Sequence, residues 1–351
     1  MRCAKSGLWI APALVLGLAV ACAPTTKRIE IDPKLAEAEA EKQRELFLTE
    51  VRKDQRRIWS VSHPLLVKAA SLCQDEVEPR LGLYAKNLFS YPMAFRKTAK
   101  RMYGAGKDLR VVFVAPDSAA QRAGFKEGDR LVSIGGEEIP AGSRAPGEWR
   151  ELVVKHAKGG EFDVVVRRQG AHLTLTAKGE TGCKYPVELS PRPEVNAMAD
   201  GKRVVVTRGM VRFAEKDSEL ATVIGHEMAH NAMGHMDAKI GNFLFGTLFD
   251  VLAAQAHSQS FEAEADYVGL YMTALAGYEI ENAPNFWRRM GVLHPGSIRA
   301  NFSATHPSAP ERFVALEQSV KEIRAKQAQG LPLVPDMKKQ AAAEPGETGS
   351  P

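Results

Sequence analysis

His226, Glu227, Met228, Ala229 and His230 spell the pattern HExxH. In a helix, positions four apart share one face a turn apart, so both imidazoles can reach a single Zn²⁺ at roughly 2.0 to 2.1 Å. Glu227, beside them, can hold a water on that metal. Zinc lowers the pKa of bound water towards about 7, and a carboxylate that accepts the proton can hand it on to a leaving amine. This is the chemistry of peptide-bond hydrolysis, with Glu227 as the catalytic base. The flanking residues predict the required helix over Asp217 to His235: Asp217 caps it, Glu219 suits its first turn, and Leu220, Val223, Ile224 and Met228 supply a buried side.

A third protein ligand is needed, and His235, His257, Glu262, Glu264, His294 and His306 are the candidates. Met233 and Met236 stand where the extension HExxHxxGxxH requires Gly and His, which excludes that class. Glu262 and Asp266 are four apart on a helical pattern, so one carboxylate can bind the metal while the other accepts a hydrogen bond from a ligand imidazole. Glu264, two residues from Glu262, is turned about 200° round the helix and points away. The prediction is a His226, His230, Glu262 site holding one zinc per chain, with Asp266 behind it. His235, five residues beyond His230, leaves the metal face and reads as structural.

The elements that must carry this site belong to a chain of 351 residues, 44% hydrophobic and 25% charged, a composition that excludes collagen-like, wholly disordered and polytopic membrane proteins. The net charge of +5 falls to +3 (5 − 2) once Arg2 and Lys5 are removed with a leader, too weak a balance for a nucleic-acid binder. Residues Ser6 to Ala21 are apolar but too short to span a bilayer comfortably, and Leu18 to Cys22 resembles a bacterial lipoprotein cleavage box. The expectation is a signal peptide over 1–21, a lipid on Cys22 as membrane anchor, and a place in a Gram-negative periplasm. Ala23 after the cysteine points to the outer membrane. A plain signal peptide is the alternative. Cys73 and Cys183 then remain, and an oxidising compartment favours a disulfide between them over two buried thiols.

Along the chain, 22–78 reads as a linker and a long, mostly solvated helix rich in Ala, Glu, Lys and Arg that packs on the catalytic part. Over 79–182 the pattern changes to short β-branched runs (Leu109 to Ala115, Asp129 to Ile134, Phe162 to Arg168, His172 to Ala177) between glycine-rich turns. The segment VVFVAPDSAAQRAGFKEGDRLVSIGGEEI there closely resembles the PDZ signature. A PDZ fold implies a sheet edge that accepts a peptide or a polypeptide C-terminus by strand addition, beside Leu81, Gly82 and Leu83. Over 183–328 a strand at Arg203 to Thr207 and helices at Phe261 to Ala276 and Pro310 to Lys326 join the HExxH helix. Residues 329–351 read as a disordered tail. The apolar stretch Ile240 to Ala256 is interrupted by Asn242 and Asp250 and is too short for a transmembrane helix; it reads as a core or interface helix. The fold class is α+β: a mainly helical peptidase domain interrupted by a small β-rich one.

NAMADGKRVVVTRGMVRFAEKDSELATVIGHEMAHNAMGH, SFEAEADYVGLYM and THPSAPERF strongly resemble the CAAX-prenyl-protease and HtpX-like zinc metallopeptidases, in particular their periplasmic lipoprotein branch, over roughly Pro191 to Lys326. The resemblance implies Glu262 as third ligand and Asp266 as its partner. It also implies that Asn196 and Ala197, with the edge strand carrying Val204 and Val205, hold substrate in extended form, and that His306 and Arg312 approach the metal or the developing oxyanion. The function it implies is zinc-dependent endopeptidase action on unfolded or misassembled envelope polypeptides. A PDZ-bearing chaperone or adaptor with a latent or structural zinc site is the alternative, and Glu227 counts against it, because a structural site has no use for that carboxylate.

Overall fold

The structure is a computed structural model, and it describes residues 29–235, 248–293 and 310–336. The chain divides into two units, Met1–Lys42 and Gln43–Pro351. The first contributes the exposed opening turns of helix α1 (Pro33–Lys68), where an Ala/Glu/Lys sequence offers no apolar face. Everything below concerns the second. From Ile58 onward α1 changes character: Ile58, Val61 and Leu65 recur at helical spacing and are completely or almost completely buried.

After α1 the chain forms β1 (Val77–Arg80), β2 (Leu83–Lys86), α2 (Arg96–Tyr103), β3 (Arg110–Val114), α3 (Ala119–Arg122) and β4 (Arg130–Ile134). Then follow β5 (Glu137–Glu138), α4 (Ala145–Ala157), β6 (Glu161–Arg168), β7 (Ala171–Lys178) and β8 (Glu180–Cys183). Five of these strands lie side by side in the order β2-β3-β4-β6-β7, with β5 paired to β4. In β6 the buried Phe162, Val164 and Val166 alternate with Glu161, Asp163 and Arg167, the period of two that one covered sheet face demands. This sheet, with α3 and α4, encloses a core of its own built on Leu109, Phe125, Ile134 and Trp149. β1 and β8 pair antiparallel where the polypeptide enters and leaves this region, with Val77 opposite Cys183. Cys73 and Cys183 are disulfide-bonded across that ribbon, with Cα atoms 5.6 Å apart.

The remaining elements are β9 (Val187–Ser190), β10 (Ala197–Ala199), β11 (Val204–Thr207), α5 (Arg208–Phe213), α6 (Asp217–Ala232), α7 (Leu248–Leu275), α8 (Ala283–Leu293) and α9 (Pro310–Ala328). They share one core with the second half of α1, centred on Leu220, Ile224, Met228, Tyr271 and Phe286. Arg57 of α1 donates to the Val211 and Ala214 carbonyls and to Asp217. Asp217 is therefore engaged by α1 and does not cap α6. The cap is Glu219, whose carboxylate reaches back to the Glu215 and Lys216 amides. Among the described residues no helix is long and apolar enough to cross a membrane. The predicted apolar helix over 240–256 lies outside the described residues up to 247 and runs into α7 from Leu248.

Candidate metal centre

α6 and α7 cross where each has a glycine. A Cβ on Gly225 would lie 2.7 Å from the Gly269 carbonyl oxygen, and one on Gly269 would lie 2.8 Å from the backbone nitrogen and Cα of His226. Only hydrogen fits at either position, so the two backbones come together at the residue next to the first histidine of HExxH. That approach lets Glu262 of α7 meet both histidines of α6. His226 Nε2 and His230 Nε2 are 3.2 Å apart, and the Glu262 carboxylate oxygens lie 3.4 Å from the former and 3.3 Å from the latter. Zinc bonds of roughly 2.0 to 2.1 Å at tetrahedral angles set donors about 3.3 to 3.4 Å apart. The Glu262 contacts run through different oxygens, Oε2 to His226 and Oε1 to His230, yet all three spacings are of that length, and two imidazoles with a carboxylate are a zinc donor set.

Behind these donors the site is built from charge. Asp266, one turn beyond Glu262, faces His226 Nδ1 at 3.0 Å and accepts two bonds from Arg312 of α9, at 2.6 and 2.8 Å. Arg312 lies 3.9 Å from Glu262 and over the ring of Trp287, 4.5 Å from its centre. Trp287, from α8, also packs against His226 with ring centres 5.0 Å apart. His226, Glu227, His230, Glu262 and Asp266 are all buried. Burial works to lower the His226 imidazole, but Asp266 and Glu262 outweigh it and hold it at about 9. Burial pushes His230 down to about 4, with Glu262 opposing and the His226 charge assisting. Burial would raise Asp266, yet Arg312 and His226 keep it below the ordinary carboxylate range. Such a set orients its imidazoles and accepts a cation of charge two without leaving any member unbalanced.

The residues singled out from the sequence fall into distinct places. His226, His230 and Glu262 converge, Glu227 follows His226 on the same buried helix, and Asp266 sits behind His226. Arg312 reaches the centre as the partner of Asp266, 3.9 Å from Glu262. Ala197 opens β10 and Asn196 immediately precedes it; β10 packs beside α6 and, among the described residues, is an edge strand of the sheet β10-β11-β9. Val204 and Val205 are corrected: they lie in β11, which pairs with β10 on one side and β9 on the other, so its backbone groups are already used and no substrate strand can add there. His306 and Cys22 lie outside the described residues.

Two features escaped the sequence reading. Asn231, directly after HExxH, donates to the Arg203 carbonyl and accepts from the Gly201 amide, fixing the β10–β11 turn to α6. His235, read as structural, has its Nδ1 2.9 Å from His230 Nδ1 and its Nε2 3.0 Å from Glu264. The spacing of His235 to HExxH was the available signal, but it lies past the end of α6, where helical geometry no longer says which way a side chain turns.

At the other end of the second unit, β2 forms an edge of the five-stranded sheet. A cavity of about 220 Å³ lies between β2, α4 and α1, bounded by Gly82, Leu83, Trp149 and Val153 together with His63 and Leu66 of α1. Gly82 has φ +70°, and a Cβ there would lie 2.4 Å from Ser118 and 2.8 Å from His63, so both its conformation and its neighbours require glycine.

Two imidazoles and a carboxylate on crossed helices, with a buried glutamate next to the first imidazole, form a candidate zinc centre. Residues 165–254 and 238–320 match the model of peptidase family M48, and residues 110–168 match that of a PDZ domain. The mitochondrial metalloendopeptidase OMA1 of Arabidopsis thaliana is 30% identical over 156 residues, 39% of this chain and 32% of that protein. OMA1 of Schizosaccharomyces pombe is 27% identical over 173 residues, 43% of this chain and 51% of its own. The serine protease Do-like HtrA of Bacillus subtilis is 29% identical over 111 residues, 30% of this chain and 24% of that protein. The chain thus spans a third to a half of the length of the OMA1 relatives. The expected placement in a Gram-negative periplasm at an outer membrane is corrected by these relatives, since the OMA1 metalloendopeptidases are mitochondrial.

Proposed function

We propose that this protein is a zinc-dependent endopeptidase acting on unfolded or misassembled polypeptides, with residues 183–328 carrying catalysis and 79–182 a peptide-binding PDZ domain. The observation that carries the reading is the convergence of two imidazole nitrogens 3.2 Å apart and the two oxygens of one carboxylate at 3.3 and 3.4 Å from them, beside a buried glutamate. His226, His230 and Glu262 would hold one zinc ion, which when bound polarises water and the scissile carbonyl. Glu227 takes the proton from the attacking water and returns it to the leaving amine. Asp266 and Arg312 hold the His226 ring in place. Substrate lies extended along β10, the edge beside α6, with Asn196 and Ala197 at its start and the Asn231 bonds keeping the edge in register with the helix.

The test is Glu227→Gln. It should retain about one zinc per chain while digestion of an unfolded protein falls by several orders of magnitude, because only proton transfer is removed. Digestion at the parent rate would overturn the mechanism, and a zinc-free parent protein would overturn the metal centre.

A further inference from the structure

We propose that His235 and Glu264 form a positioning relay that fixes the imidazole of His230, separate from metal ligation. The inference rests on the reading of His226, His230 and Glu262 as the zinc ligands. With Nε2 of His230 turned to the other two donors, its hydrogen belongs on Nδ1, which faces His235 Nδ1 at 2.9 Å. His235 Nδ1 then accepts, so the proton of His235 sits on Nε2 and is donated to Glu264 at 3.0 Å. One placement of two hydrogens satisfies both contacts.

The His235 ring is held for this task. Its side chain is 2% exposed, and it stacks on Phe261 with ring centres 4.5 Å apart and planes inclined by 22°. Phe261 and Glu264 flank Glu262 on α7, so the relay ties the end of the α6 segment to the helix that delivers the third ligand. The two histidines of the centre are therefore oriented by different means. His226 is held by a buried carboxylate that is itself clamped by arginine. His230 is held by a neutral ring whose far side reaches a carboxylate 47% exposed. Water competes for Glu264 and not for His235, so His235 carries most of the effect.

The experiment measures zinc affinity by chelator competition on the full-length protein, in the Glu227→Gln background so that proteolysis does not intervene. His235→Phe keeps the ring and its stacking and removes both nitrogens; it should weaken zinc binding by about 10 to 100-fold. His235→Asn, which restores an acceptor near the Nδ1 position, should recover affinity to within about threefold, and Glu264→Gln should cost no more than about fivefold. The zinc-free proteins should all melt together. Parent-like affinity in His235→Phe, no recovery in His235→Asn, or a zinc-free melting temperature that falls in step with affinity would each overturn the relay. A parent that takes up no zinc would instead overturn the metal centre on which it rests.

Discussion

Arg312 and Lys86 are both enclosed cations lying over tryptophan rings, Arg312 4.5 Å from the centre of Trp287 and Lys86 5.4 Å from that of Trp59. Arg312 sits at the metal centre with two bonds to Asp266 and with Glu262 nearby. Lys86 sits where β2 meets α1, and among the described residues it has the neutral Gln55 as its hydrogen-bond partner and no carboxylate. The consequences run in opposite directions. Burial would lower Arg312, but Asp266 outweighs it and the guanidinium is held above its ordinary value. Burial, with Arg52 assisting, pushes Lys86 down to about 8. The candidate metal centre sets its buried cation against carboxylates, whereas the α1–β2 junction, beside a cavity of about 300 Å³ lined by Phe47, Trp59, Tyr91 and Phe95, tolerates an unmatched one.

The largest effect should come from unbalancing the centre. Arg312→Met removes the bidentate partner of the buried Asp266 and leaves it only the His226 imidazole, and chemical unfolding of the zinc-free protein should show a loss of about 3 to 5 kcal/mol. A loss below about 1 kcal/mol would mean that water, not arginine, supports Asp266. Next comes the approach of the two helices. Gly269→Ala places a methyl group against the His226 backbone, so α6 and α7 must separate and the donor triangle must open. Zinc affinity should fall at least about tenfold, while Gly147→Ala in α4, with nothing within 4 Å of its Cβ, should leave affinity unchanged.

The smallest effect tests the other side of the comparison. Lys86→Met should stabilise the protein by about 1 to 2 kcal/mol near neutral pH, less than the full shift because part of the side chain meets solvent. The sign follows from the lowered pKa. Below about 8 the amine is charged in both states and the burial penalty is complete. Between there and the ordinary value of 10.5 only the unfolded protein keeps the proton, so wild-type stability rises with pH relative to the variant. Unfolding curves at pH 7 and pH 10 should show the gap closing, and a gap that widens would place a carboxylate beside Lys86.

The Trp59–Tyr84 stack, with ring centres 4.6 Å apart, puts the same helix against the PDZ sheet that, through Arg57, holds the first turn of α6. α1 thus packs against both regions, and neither its Ala/Glu/Lys opening nor its length announces that. The strand runs of 79–182 were legible because alternation is a local property; β3, β4, β6 and β7 fall where the β-branched residues put them. The strand at Arg203 to Thr207 was legible as a strand but not as an interior one, because an edge is defined by what pairs beside it, and β9 and β10 come from other stretches of sequence.

The sequence by itself determined that His226 and His230 share a helix face and that Glu262 and Asp266 share another, since spacing of four residues fixes direction within one helix. Only the tertiary structure decided that the two faces meet, through the contact of Gly225 with Gly269, and that His235 turns towards His230 while Arg312 turns towards Asp266. Those contacts depend on how close two helices approach and how the backbone turns beyond a helix end, and neither distance nor turn is encoded in the periodicity of any one segment.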